Sequence, residues 1–231
     1  MARPLEGLTV LDLTWVLSGP FATMLLADLG AEVIKVERPP YGDVARTTGP
    51  YQNGYSAYFF SINRGKKSTS INLGTAEGRD VFLRLVEQAD VVVENFTPGT
   101  MDRLKIGYDV LSGRNPRVIL ASISGFGQTG PYRDRPALDI IVQAMGGVMS
   151  ITGEPGGGPV RPGTSYGDIT AGLFATVAVL AALHEREQSG RGQAIDVSML
   201  DCQVTVLENA ITRYFVTGKA PERLGTRHPS A

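Results

Sequence analysis

Asp168 is the residue whose surroundings first suggest chemistry. It stands in Ser165-Tyr166-Gly167-Asp168-Ile169-Thr170-Ala171-Gly172, where a glycine-bearing loop enters a run of small and apolar residues. On spacing alone two readings stay open. Aspartate is a favoured helix N-cap, and capping is the commoner reason for one at such a place. A carboxylate at a helix N-terminus is also stabilised as an anion, so Asp168 is expected to be ionised at neutral pH. An ionised carboxylate can attack a thioester without a general base and form a covalent intermediate. Gly167, Ala171 and Gly172 leave room for a substrate. Arg38 follows an apolar run in Val36-Glu37-Arg38-Pro39. Ligands of open α/β sheets collect beyond strand ends, so Arg38 is either a phosphate contact or a solvated arginine. Asn95, Phe96 and Arg103 carry the same ambiguity.

Other chemistries lack their motifs. The turn Thr14-Trp15-Val16-Leu17-Ser18-Gly19-Pro20 holds one glycine, against the three of a dinucleotide fingerprint, and no P-loop occurs. The run Gly156-Gly157-Gly158 reads as a mobile loop rather than a phosphate cradle. The 2 histidines, His184 and His228, lack paired ligands, which argues against zinc. There is no G-x-S-x-G elbow for a serine nucleophile. Net charge is -1, with basic residues scattered apart from Arg64, Lys66 and Lys67, so nothing points to nucleic acid. A single cysteine, Cys202, permits no intrachain disulfide and suits a reducing, cytoplasmic compartment. The first residues lack the features of a signal peptide. The longest uncharged apolar run, Ile169 to Leu183, is bracketed by Asp168 and Glu185; it reads as a buried core helix, too short for a membrane span.

The elements that must position these residues alternate between strand and helix. Strands are predicted over Leu8–Leu13, Glu32–Val36, Ser68–Leu73, Val91–Glu94, Val118–Ser122 and Ala194–Val197. Helices are predicted over Phe21–Leu29 with Ser18 as N-cap, and over Thr75–Gln88, Pro136–Met145, Asp168–Glu187 and Leu200–Val216. Two short helices follow the Pro98-Gly99 turn, and glycine-rich loops fill 123–135 and 153–167. The 231 residues thus form an α/β fold, an open, mainly parallel Rossmann-like sheet with flanking helices.

Several long blocks resemble the family III CoA-transferases (CaiB/BaiF). They are LEGLTVLDLTWVLSGPFATMLLADLGAEVIKVERP, NRGKKSTSINL, ADVVVENFTPGTMDRL, SGFGQTGPY and GRGQAIDVSMLD. They run in the family's order along essentially the whole chain. The resemblance implies that Asp168 is the nucleophile, which takes an acyl group from acyl-CoA as a mixed anhydride and then becomes an aspartyl-CoA thioester. It implies a CoA site lined by Val16, Leu17, Arg38, Asn72, Leu73, Gly74, Asn95, Phe96, Thr97 and Arg103, with Asp139 bordering the nucleophile. Coenzyme A would be substrate rather than resident cofactor, with a carboxylic acid as acceptor. The same family includes acyl-CoA racemases, which carry a histidine where this sequence has Leu138; a leucine cannot exchange a proton. Racemisation is therefore the alternative reading, and a non-catalytic CoA-binding fragment a third. Family members are longer, with a second, smaller domain. The likeness thus implies that residues 1–231 are a large CoA-binding domain without that small domain. It also implies a homodimer, interlocked in the family, or a partner chain that completes the site.

Overall fold

The structure is a computed structural model that describes residues 3–229. The first two and last two residues lie outside it, and with them the expectations about the chain's termini.

In chain order the elements are β1 Thr9–Asp12, α1 Ser18–Asp28, β2 Glu32–Glu37, β3 Tyr51–Gln52, β4 Tyr55–Ser56, α2 Ala57–Asn63, β5 Lys67–Ser70, α3 Ala76–Val86, β6 Val91–Glu94, α4 Thr100–Arg103, α5 Tyr108–Arg114, β7 Ile119–Ser124, α6 Asp139–Met145, α7 Val148–Ile151, α8 Tyr166–Ser189, β8 Ala194–Ser198, α9 Met199–Thr205 and α10 Ala210–Thr217. Six strands form one sheet in the order β5-β2-β1-β6-β7-β8. Every pairing in it is parallel. The chain winds outward from β1 through β2 to β5, then returns to lay β6, β7 and β8 on the other side. This is the doubly wound α/β arrangement, and the strand order reverses between β1 and β6. The small β3–β4 hairpin stands apart.

Alternate residues of the central strands feed two cores, as a two-residue period requires. Val10, Val91, Val93, Ile119 and Ala121 point to the face covered by α1 and α8. Leu11, Val92 and Leu120 point to the opposite face with Phe82, Val86, Ile106 and Leu111. Both faces are covered, so β6 and β7 are buried along their whole length and read as near-continuous apolar runs.

Helix α8 packs its N-terminal half on α1. Gly172 makes this possible: a Cβ there would sit 2.8 Å from the Ser18 carbonyl oxygen and 2.9 Å from Phe21 Cδ1. Helix α8 has 24 residues and holds an 18-residue stretch of mean hydropathy 1.6, long and apolar enough to cross a membrane, contrary to the shorter span read from the sequence. Ala171, Ala175, Val179, Ala182 and Leu183 nevertheless place it in the larger core. Cys202 is buried in that core too, a free thiol that burial pushes up to about 11.

Several boundaries differ from expectation. Ser18 is the first residue of α1 and caps nothing; Leu17 precedes it without a side-chain cap. Helix α8 begins at Tyr166, so Asp168 lies inside the first turn rather than at the N-cap, which is Ser165. The strand expected to reach Leu73 ends at Ser70, and Pro136–Leu138 are not helical. The single helix expected over 200–216 is two, α9 and α10, broken at Glu208, which adopts φ +55°.

Candidate active site

The site lies where strand order reverses. Strands β1 and β6 are neighbours, and the turns that leave them are tied together. Asn95 Oδ1 accepts from Trp15 N at 3.0 Å, and Asn95 Nδ2 donates to Trp15 O at 2.9 Å. Beneath these turns sit four charged side chains, Asp12, Lys35, Asp43 and Lys66, each no more than 2% exposed. They bond the β1–α1 turn from below. Asp12 Oδ1 accepts from Thr14 N at 2.9 Å, Lys35 Nζ donates to Thr14 O at 2.6 Å, and Asp43 Oδ1 accepts from Val16 N at 3.1 Å. Burial works against ionising Asp12, but Lys35 and Lys66 outweigh it and hold the carboxyl below its usual value. Burial pushes Lys66 down to about 8 despite Asp12 beside it. The turn so held carries Val16 at φ +64°. A β-branched residue in the left-handed region costs about 1–3 kcal/mol and persists only where its surroundings impose it.

Two of the cavities that open onto these turns adjoin each other. The larger, about 460 Å³, is lined by Arg38, Asn72, Leu73, Gly74, Phe96 and Thr97, together with Trp15 and Thr100. The smaller, about 270 Å³, is lined by Val16, Leu17, Asn95, Arg135, Asp139 and Asp168. Trp15, Phe96 and Thr97 line both, so the cavities adjoin across one wall. The residues implied for CoA thus gather around one continuous region, with Arg103 set apart. Its Nη2 donates to Thr100 Oγ1 at 2.6 Å, which places it behind a lining residue rather than in the lining.

Asp168 belongs to the smaller cavity. Burial raises its carboxyl, the charge of Asp139 raises it further, and Arg161 and a hydrogen bond from Ser18 oppose them; the net value is about 7. The sequence suggests an ionised carboxylate at neutral pH; in the structure burial and the like charge of Asp139 oppose ionisation. Asp139 performs the capping instead. From α6 its Oδ1 accepts from Gly167 N at 2.8 Å and Asp168 N at 3.4 Å. Its Oδ2 accepts from Gln143 Nε2 at 2.7 Å and Arg161 Nη2 at 2.9 Å. Asp139 lies beside Asp168, and its bonds go to protein groups. Tyr58 on α2 is pushed up to about 12, by burial first and then by the charge of Asp168. Leu138 lines the same cavity and is 71% exposed.

The family model for CoA-transferase family III matches residues 5–231. The chain belongs to that family. Among family III relatives, the acetyl-CoA:oxalate CoA-transferase of Acetobacter aceti is 52% identical over 227 residues, which are 98% of this chain and 58% of the relative. The succinyl-CoA:glutarate CoA-transferase of Mus musculus is 46% identical over 229 residues, 99% of this chain and 52% of the relative. A crystal structure of a CaiB/BaiF family protein from Brucella suis matches with TM-score 0.95 at 44% identity, over 99% of this chain and 62% of that one. The chain therefore spans a little over half the length of the family III proteins it matches.

Sequence reasoning missed five charged residues around this site. Asp12 and Lys35 were legible as charges interrupting the apolar strands LTVLDL and EVIKV. Asp43 and Arg161 lie in loops and left no periodic signal. Glu94, which ends VVVE, was taken as a strand terminus. It is 3% exposed, its Oε2 accepts from Phe96 N at 2.6 Å, and burial raises its carboxyl to about 7.

Proposed function

We propose that this chain is the CoA-binding, nucleophile-bearing part of a transferase that moves CoA between an acyl-CoA thioester and a carboxylic acid, with Asp168 as the covalent carrier. The observation that carries this reading is the Asp168 carboxyl in a small cavity that shares the Trp15–Phe96–Thr97 wall with a larger one. The larger cavity suits the nucleotide and pantetheine arm of CoA. Arg38 serves its phosphates there, and Arg103 supports the wall through Thr100. The turn residues Val16, Leu17, Asn95, Phe96 and Thr97 meet the pantetheine, while Asn72, Leu73 and Gly74 face the nucleotide.

In the reaction, an oxygen of ionised Asp168 attacks the thioester carbonyl. A C–O bond forms, the C–S bond breaks, and CoA leaves as thiolate. The thiolate attacks the aspartyl carbonyl of the anhydride and releases the donor acid, which leaves aspartyl-CoA. An acceptor carboxylate attacks that thioester and expels the thiolate again. The thiolate takes the acceptor's acyl group and frees Asp168. A carboxyl poised near neutral is a stronger nucleophile than an ordinary one and is still partly ionised at pH 7. The relatives named for oxalate and glutarate support dicarboxylic acids as acceptors, and Arg135, a cation lining the Asp168 cavity, suits a second carboxylate. The family likeness supports a homodimer, and the lone buried thiol supports a reducing cytoplasm.

Trapping tests the reading. Incubation with acyl-CoA and hydroxylamine is expected to leave a hydroxamate on the Asp168 peptide, read by mass spectrometry. Asp168→Asn is expected to abolish both the adduct and transfer while CoA still binds. Transfer at the wild-type rate in this variant would rule the reading out. No deuterium is expected to enter the substrate α-carbon, since Leu138 carries no proton.

A further inference from the structure

We propose that Arg161 is a positioning residue for Asp168, acting through Asp139. The inference rests on reading Asp168 as the nucleophile and assigns a residue that this reading does not use. Two carboxyls meet at the start of α8. Asp139 holds five donors: Gln143 Nε2 at 2.7 Å and Arg161 Nη2 and Nε at 2.9 and 3.2 Å on Oδ2, then Gly167 N and Asp168 N at 2.8 and 3.4 Å on Oδ1. Arg161 Nη2 also donates to Oγ of Ser165, the N-cap of α8, at 3.3 Å. The guanidinium is thus fixed to the helix start at two points, and it makes no ion pair with Asp168 itself.

This arrangement divides the charge of the pair. Burial first, and then the charge of Asp139 beside it, oppose ionisation of Asp168. Arg161 offsets the charge on Asp139 and also acts on Asp168 directly, so Asp168 becomes available as an anion near neutral pH. Among the charges acting on Asp168, Arg161 is the one that favours its ionisation. Ser18 from α1 supplies a neutral hydroxyl, and Tyr58 from α2 remains a neutral phenol. Arg135, in the cavity wall, stacks its guanidinium 4.2 Å above the Tyr132 ring. Arg161 also sets direction. By holding Asp139 and Ser165 together, it fixes the first turn of α8 and so the angle at which the Asp168 oxygens enter the cavity.

The test compares Arg161→Gln, Arg161→Lys and Asp139→Asn in the protein labelled with [4-13C]aspartate, with Asp168→Asn assigning the resonance. Arg161→Gln is expected to move the Asp168 titration midpoint up by about one pH unit, and Asp139→Asn to move it down. Arg161→Lys, which restores the cation but not the fork, is expected to recover most of the shift. The pH of half-maximal hydroxamate formation at Asp168 is expected to follow in the same directions. An Asp168 midpoint unchanged in Arg161→Gln, or equal in the Gln and Lys variants, would overturn the proposal. Should Asp139→Asn fail to fold, the Gln and Lys pair still decides. Failure of wild type to form the hydroxamate would instead strike the nucleophile reading, while the midpoints still judge Arg161.

Discussion

Asp168 ties the stability of the fold to pH. Its folded value, about 7, lies above the 3.8 of an unperturbed aspartate. Between those values the folded chain binds more protons than the unfolded one, so stability falls as pH rises through about 7. Asp168→Asn removes that loss. The variant is expected to melt above wild type at pH 8 and to match it at pH 3.5, as differential scanning calorimetry at the two pH values will show. Glu94, also raised to about 7 by burial, contributes in the same direction. Val16 holds strain of another kind. Val16→Gly relieves the left-handed backbone at a half-exposed position, and a gain of about 1 kcal/mol in denaturant unfolding is expected. The turn then depends less on Asp43, so CoA affinity is expected to weaken as the loop gains freedom.

At the scale of elements, two contacts decide where Asp168 stands. Gly172 lies one turn beyond Asp168 and lets α8 approach the α1 backbone. Gly172→Val forces the helices apart. A loss of about 1–3 kcal/mol is expected from overpacking, together with a fall in hydroxamate yield at Asp168. The second contact is the charged layer under the β1–α1 turn. Lys35→Met strips the cation from between Asp12 and Asp43 and leaves the buried Asp43 carboxylate without its ion-pair partner, while Asp12 keeps Lys66. About 3–5 kcal/mol of destabilisation is expected, measured by urea denaturation. These contacts also show what the sequence could disclose. The six strands and the helices α1, α3 and α8 were legible because apolar period and turn residues agree there. Asp168 was legible as a carboxylate at a helix start. Its protonation was not, because that depends on Asp139 and Arg161, which approach it from α6 and a glycine-rich loop. Ser18 was misread as a cap because its hydroxyl serves the site instead of the helix end. The break at Glu208 came without a glycine or proline to announce it.

For the whole molecule, the doubly wound order places both cavities at one end of the sheet, on turns that leave adjacent central strands. Chemistry is therefore set by loops on a buried scaffold, and substitutions in the β3–β4 hairpin are expected to leave CoA affinity, read by isothermal titration calorimetry, unchanged. The all-parallel sheet has another consequence, in time rather than space. No sheet strand pairs with its neighbour through a tight turn; Val10 must find Val91, and Leu120 must find Ala194, before the centre closes. Such pairings spend chain entropy before they are rewarded, so they form late and slowly. The single thiol offers a clock for this. Cys202 is shut away in the finished core but open to a reagent while the chain searches. Pulses of an alkylating agent during refolding from urea are expected to mark Cys202 over milliseconds to seconds and to fail once the sheet has closed. The labelling curve would then time the closing of the core around the helix whose first turn holds Asp168.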